Sequence, residues 1–133
     1  MVSLGLLVIR LVFGLTFAVH GTQKLFSWFG GNGIAGTGAF FDSLGIKPGT
    51  TMATLAGLGE TAGGLFFALG LLTPLASALI VVTMLVAVFT VTGKNGYMAT
   101  AGGSEYNWAI IAVAVGVALT GPGAYALDAL LFK

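Results

Sequence analysis

A chain of 133 residues has the length of one domain, here 1–133, and this one is 57% hydrophobic and 7% charged, with a mean hydropathy of +1.05. Soluble domains average roughly 25% charged residues; five basic and four acidic side chains cannot dress a water-facing surface, so the composition predicts a protein embedded in a lipid bilayer. A net charge of +1 without a basic run argues against nucleic acid, and the lack of cysteine excludes disulfides, thiol redox chemistry and cysteine-held iron–sulfur or zinc sites.

The first apolar run, about residues 4–26, has no basic segment ahead of it, since Arg10 lies inside it. It ends in the bulky, polar HGTQK rather than in small residues. It reads as a retained membrane span, not a cleaved leader. Next, SWFGGNGIAGTGAFFDSLGIK (27–47) is rich in glycine yet apolar. Trp28 and Phe29 suit the water–lipid boundary, and residues 34–44 predict a short interfacial helix or a partly re-entrant cap between the first two spans.

A second span, 50–72, follows Lys47-Pro48-Gly49. Thr73 as N-cap and Pro74 at N1 then predict a tight hairpin into a third span, 74–92. The turn-rich TGKNGYMATAGGS (92–104) leads to a fourth, 105–120. Gly121-Pro122-Gly123 stops that helix, and AYALDALLFK is expected along the interface. The expectation is an all-α, integral membrane four-helix up-down bundle, multi-pass, with both termini on one side. Lys24, Lys47 and Lys94 against Lys133 and the amino terminus put the longer loops in the cytoplasm by a narrow margin.

The few ionisable groups are not scattered. At about 100° per residue, Arg10, Phe13, Gly14, Phe17, His20, Gly21 and Lys24 share an arc of about 120°, so they face protein rather than lipid. Glu60 sits mid-span, with Gly57, Gly64 and Phe67 on its face and Gly59/Gly63 forming a GxxxG beside it. The helical rise brackets Glu60 between Arg10 on one side and His20 and Glu105 on the other. A connected polar chain through the bundle is therefore feasible.

Each group also has a plainer reading. Arg10 with Glu60 is equally an ion pair that sets helix register, and His20 an interfacial hydrogen-bonding residue. Lys24 reads as a snorkelling anchor, Glu105 as a helix N-terminal acid, Asn107 as a cross-helix bond, and Asp128 as solvated or paired with a base on the terminal side. Phe13, Phe17 and Phe67 are core, or the flanks of a flat ligand. Taken together, the shared faces and depths predict a ligand- or proton-handling site.

The blocks HG-x-x-KLF, GTGAFFDSLGIKP, GLGETAGGLFFALGLLTPLA and GPGAYALDALL, with Arg10, Gly14 and Glu105 between them, resemble the DoxX family over nearly the whole chain. The resemblance implies a four-helix protein of the inner (plasma) membrane, linked to quinone oxidation or to membrane oxidoreductase complexes with soluble partners. Its recurrent positions fall here on Arg10, His20, Gly21, Lys24, Glu60, Gly63, Gly64, Glu105, Gly121, Pro122, Gly123 and Asp128.

The leading expectation is thus a quinone- or small-aromatic-binding subunit or partner of an oxidoreductase. Arg10, Lys24 and Asn107 are its candidate ligand-binding polar groups, and Phe13, Phe17 and Phe67 its flat slot. Glu60, Glu105 and His20 are its candidate catalytic, proton-handling groups. No metal site is expected, and a single histidine cannot supply bis-histidine haem, so electrons would come from a bound flavin, a quinol or a partner. The alternatives are a proton-coupled carrier or exporter of toxic aromatics, expected to form a homo-oligomer, and a structural anchor for a soluble enzyme.

Overall fold

The computed structural model describes residues 1–132; Lys133, counted above on the terminal side, lies outside the described residues. All its regular elements are helical: α1 (Val2–Phe26), α2 (Gly33–Ser43), α3 (Gly49–Leu69), α4 (Thr73–Thr90), α5 (Glu105–Thr120) and α6 (Leu127–Leu131), with short 3-10 turns between them. Three of these, α1, α3 and α4, are long and apolar enough to cross a membrane. The fourth expected span, α5, has the boundaries read from the sequence. Its 16 residues reach about 24 Å, against a hydrocarbon core of about 30 Å. By length and composition, three of the described helices are candidate spans, and α5 is a shorter apolar helix.

Helix α3 ends at Leu69 instead of 72 because Gly70 takes a left-handed conformation (φ 66°), which stops the helix and lets the Leu71 amide reach back to Phe66 O. Gly70 is also pressed against Ala126 and the Arg10 guanidinium, so a side chain would not fit there. Pro74 pre-sets the first turn of α4, whose N-cap is Leu72 rather than the expected Thr73.

Helix α1 packs along α3, α3 along α4, and α4 along α5, while α2 lies against α3 and α1. The α1–α3 seam is made by missing side chains. A Cβ on Gly14 would lie 2.6 Å from Ala68 N and Gly64 O, and one on Gly21 would run into Thr61 and Gly57. Such contact brings two backbones together where lipid supplies no hydrophobic drive between helices. The seam glycines on α3 are Gly57 and Gly64. The Gly59/Gly63 pair is not at this interface: Gly63 faces Leu79 of α4, and nothing lies within 4 Å of a Cβ on Gly59.

Phe17, Phe67, Ile80, Met84, Ile110, Ala114 and Val117 fill the core between α1, α3, α4 and α5. Polar Arg10, Glu60, Ser77 and Asn107 are buried, whereas Val8, Val12, Leu58, Leu65, Val82, Val86 and Phe89 are exposed. Polar groups inside and apolar groups outside are what a bilayer selects as solvent. The two ends of the chain meet, Ala124 N donating to Ser3 Oγ at 3.0 Å.

Candidate functional site

Two polar clusters occupy opposite ends of the helices. At the α2 end, Lys24 in the last turn of α1 reaches Glu60 of α3, its Nζ donating to Oε1 at 2.9 Å and to Oε2 at 2.7 Å. The carboxylate side chain is 4% exposed and the lysine 24%. Close approach at Gly21 and Gly57 sets this register between the helices, and with it the pairing. One helical turn before Lys24, His20 Nδ1 bonds Gln23 Oε1 at 3.1 Å, while Gln23 Nε2 donates to Phe29 O at 3.0 Å. Because that amide nitrogen is a donor to Phe29, Oε1 accepts, so Nδ1 carries the histidine proton and Nε2 of the neutral ring is left to accept. The imidazole also stands 6.2 Å from the Tyr106 ring.

These groups open onto a cavity of about 680 Å³ between α1, α2, α3 and α4. Its polar wall includes His20, Gln23, Lys24, Glu60 and Asn32, with threonines of α2 and α4; its apolar wall includes Phe40, Phe41, Met52, Leu55, Val82 and Val86. This size falls within the range of small-molecule sites, and a mostly apolar lining with a few convergent polar groups is their usual character.

At the opposite end, Arg10 is fully buried and donates from one terminal nitrogen to Ala68 O and from the other to Tyr125 O, both at 2.8 Å. Asp128 accepts from Leu72 N (2.7 Å), Thr73 N (2.9 Å) and Thr73 Oγ (2.7 Å), while its own amide donates to Gly70 O. It therefore supplies the cap of α4 from a distant part of the chain. Burial pushes the Asp128 carboxyl up, but the bonds from Thr73 and Leu72 and the charge of Arg10 outweigh it and hold the group below the usual carboxylate range.

The sequence-predicted residues thus separate. Glu60, His20 and Lys24 come together at the cavity. Among the described residues, its walls do not include Arg10, Phe13, Phe17, Phe67, Glu105 or Asn107. Arg10 meets the backbone carbonyls of Ala68 and Tyr125 rather than Glu60. Phe17 and Phe67 are core, with Phe13 packed against them. Asn107 donates to Met84 Sδ across α4 and α5 at 3.4 Å, and Glu105 opens α5. Asp128 is half-buried and feels the charge of Arg10, and beyond that expectation it caps α4. The aromatic wall missed from the sequence, Phe40 and Phe41, was visible there only as apolar residues of an interfacial segment.

The DoxX family model matches residues 5–93. The chain is 32% identical over 131 residues to the "Putative oxidoreductase CatD" of Bacillus subtilis (strain 168), covering 98% of this chain and 90% of that protein. No solved structure matches.

Proposed function

This chain belongs to the DoxX family, and from that premise we propose that it is a membrane-embedded quinone- or small-aromatic-binding protein that works with an oxidoreductase. In this reading α5 is a fourth span beside α1, α3 and α4, and the protein resides in the inner (plasma) membrane. The observation that carries the proposal is the Lys24–Glu60 pair on the wall of a largely apolar cavity. The relative whose name marks it an oxidoreductase supports the partner role.

An aromatic ring with oxygen substituents fits the available groups. An ammonium has three N–H donors, and Lys24 directs bonds to the two Glu60 oxygens, which leaves donor capacity for a ligand oxygen. The ligand would supply the redox chemistry, because the chain has no cysteine and one histidine. Lys24 orients the ligand oxygen, and Glu60 holds or releases a proton beside it. His20 Nε2 is a second proton acceptor on the same wall, held in that tautomer by Gln23. Phe40 and Phe41 flank the ring in place of the core phenylalanines. Arg10, Asn107 and Glu105 have no part in this step.

The test is mass spectrometry of small molecules extracted from protein purified in mild detergent, comparing wild type with Glu60→Gln. A quinone enriched in wild type and lost from the folded variant is expected. A wild-type extract indistinguishable from the lipid background would end the proposal.

A further inference from the structure

The cavity has a side that a water-filled entrance does not need. Helices α3 and α4 run antiparallel from the turn at Gly70–Leu72, and Gly63 lies against Leu79. Three residues further from the turn on each helix, Val82 therefore stands level with Glu60. Val82 is eight residues short of the α4 terminus, about 12 Å along the helix and thus at hydrocarbon depth. Yet Val82 is both a cavity wall and 59% exposed, as are Val86 (51%) and Leu55 (58%). Phe40 of α2, 49% exposed, continues the same edge. A cavity wall exposed at that depth on a spanning helix faces acyl chains rather than water.

The polar end limits what can enter. Lys24 and Glu60 neutralise each other, so an anionic or cationic head would have to separate a pair whose carboxylate is nearly buried, at a high desolvation cost. A neutral head that accepts one hydrogen bond leaves the pair intact.

Building on the reading of this cavity as a ligand site, we infer that its occupant enters from the bilayer between α2 and α4. It is a neutral-headed lipid whose apolar chain lies across Leu55, Val82 and Val86 while the head meets Lys24 and Glu60. Small water-soluble aromatics lack the chain and gain nothing from this edge.

The experiment uses the full chain in lipid nanodiscs. Two probes share one head, 2,3-dimethoxy-5-methyl-1,4-benzoquinone, with and without a decyl chain. Affinities are compared at equal mole fraction in the lipid. Val86→Trp and Leu55→Trp fill the opening from exposed positions, where the fold tolerates bulk. The expected result is about a tenfold loss of affinity for the decyl probe and less than about twofold for the bare ring. A decyl analogue carrying a diazirine at the chain end gives a readout in the wild type that needs no variant, with adducts expected on residues 82–86 and Leu55. Equal responses of the two probes to the tryptophans, or adducts confined to residues 30–32 and 90–92, would overturn the bilayer entrance and leave the site standing. Failure of both probes to bind folded wild type would overturn the ligand site and the entrance together.

Discussion

Lys24 and Glu60 form a pair whose two members have unequal alternatives. Without Glu60, Lys24 can extend toward the interface, since its side chain is already 24% exposed. Without Lys24, Glu60 stays buried at 4% with no equivalent escape. Lys24→Met should therefore destabilise the fold more than Glu60→Gln, and the double variant should recover much of the loss. A double-mutant cycle by reversible unfolding in mixed micelles should give a coupling of about 1–3 kcal/mol; a value near zero would mean that the pair is not formed in the membrane. Arg10 makes a different demand. Two nitrogens on one rigid plane reach Ala68 O and Tyr125 O, a geometry that a lysine cannot reproduce. Arg10→Lys should loosen the 121–131 segment, seen as faster hydrogen exchange there, with exchange in α2 unchanged. The sequence told that these cations face inward, because the 3.6-residue period does. It did not tell which acid they meet, since that depends on the register of α1 against α3. A ruler counted along each helix from its own end carries no information on that register, and Glu60 was accordingly bracketed by Arg10 when its partner is Lys24.

Helix ends and helix seams can be tested one element at a time. Helix α4 begins without a local side-chain cap, and Asp128 replaces it from more than fifty residues away in sequence. Asp128→Ala should cost about 1–2 kcal/mol, as loss of an N-cap usually does. The carboxyl is held below its usual range in the folded protein, so its contribution is fully present above the unfolded value of about 3.9. That contribution is lost as pH falls through the lower folded value. Stability should therefore decline with acidification below about pH 4, and Asp128→Asn should flatten that part of the profile; an unchanged slope would show the cap to be absent. Along the α1–α3 seam, Gly14→Ala must push two backbones apart and should cost about 1–3 kcal/mol, whereas Gly59→Ala meets nothing within 4 Å and should be neutral or slightly stabilising. Comparative melting in detergent distinguishes the two. The helices themselves were legible from apolar run length and from Pro and Gly punctuation, and α5 was read to its exact ends. The cap was not, because a carboxylate near the C-terminus looks the same whether or not a helix start stands opposite, and a GxxxG motif likewise does not say which helix it faces. The spacing put Gly57 and Gly64 on the face of Glu60, and these are the glycines that meet α1, while the Gly59/Gly63 GxxxG beside them does not.

On the scale of the whole molecule, the chemistry is divided between two ends. One end locks the chain: Ser3 meets Ala124, Arg10 holds Ala68 and Tyr125, and Asp128 caps α4. The other end is open, with α2 lying over a cavity that holds the ion pair. This division requires α5 to return the chain from the open end to the locked end, although at 16 residues it is the shortest of the four long helices. In the proposed four-span arrangement, a span this short is accommodated by local thinning of the bilayer at a cost of a fraction of a kcal/mol per Å, and the bond from Ala124 N to Ser3 Oγ sets the end of α5 beside the start of α1. Because the chain has no cysteine, single cysteines at exposed sites report topology without background. In sealed, uniformly oriented vesicles, Ser43→Cys and Lys94→Cys should react with an impermeant maleimide from one face, and Ala124→Cys only from the other. Labelling of position 124 from the same face as position 94 would mean that α5 does not cross. The two-ended arrangement, and a fourth span with it, would then be wrong even if the Lys24–Glu60 pair survived.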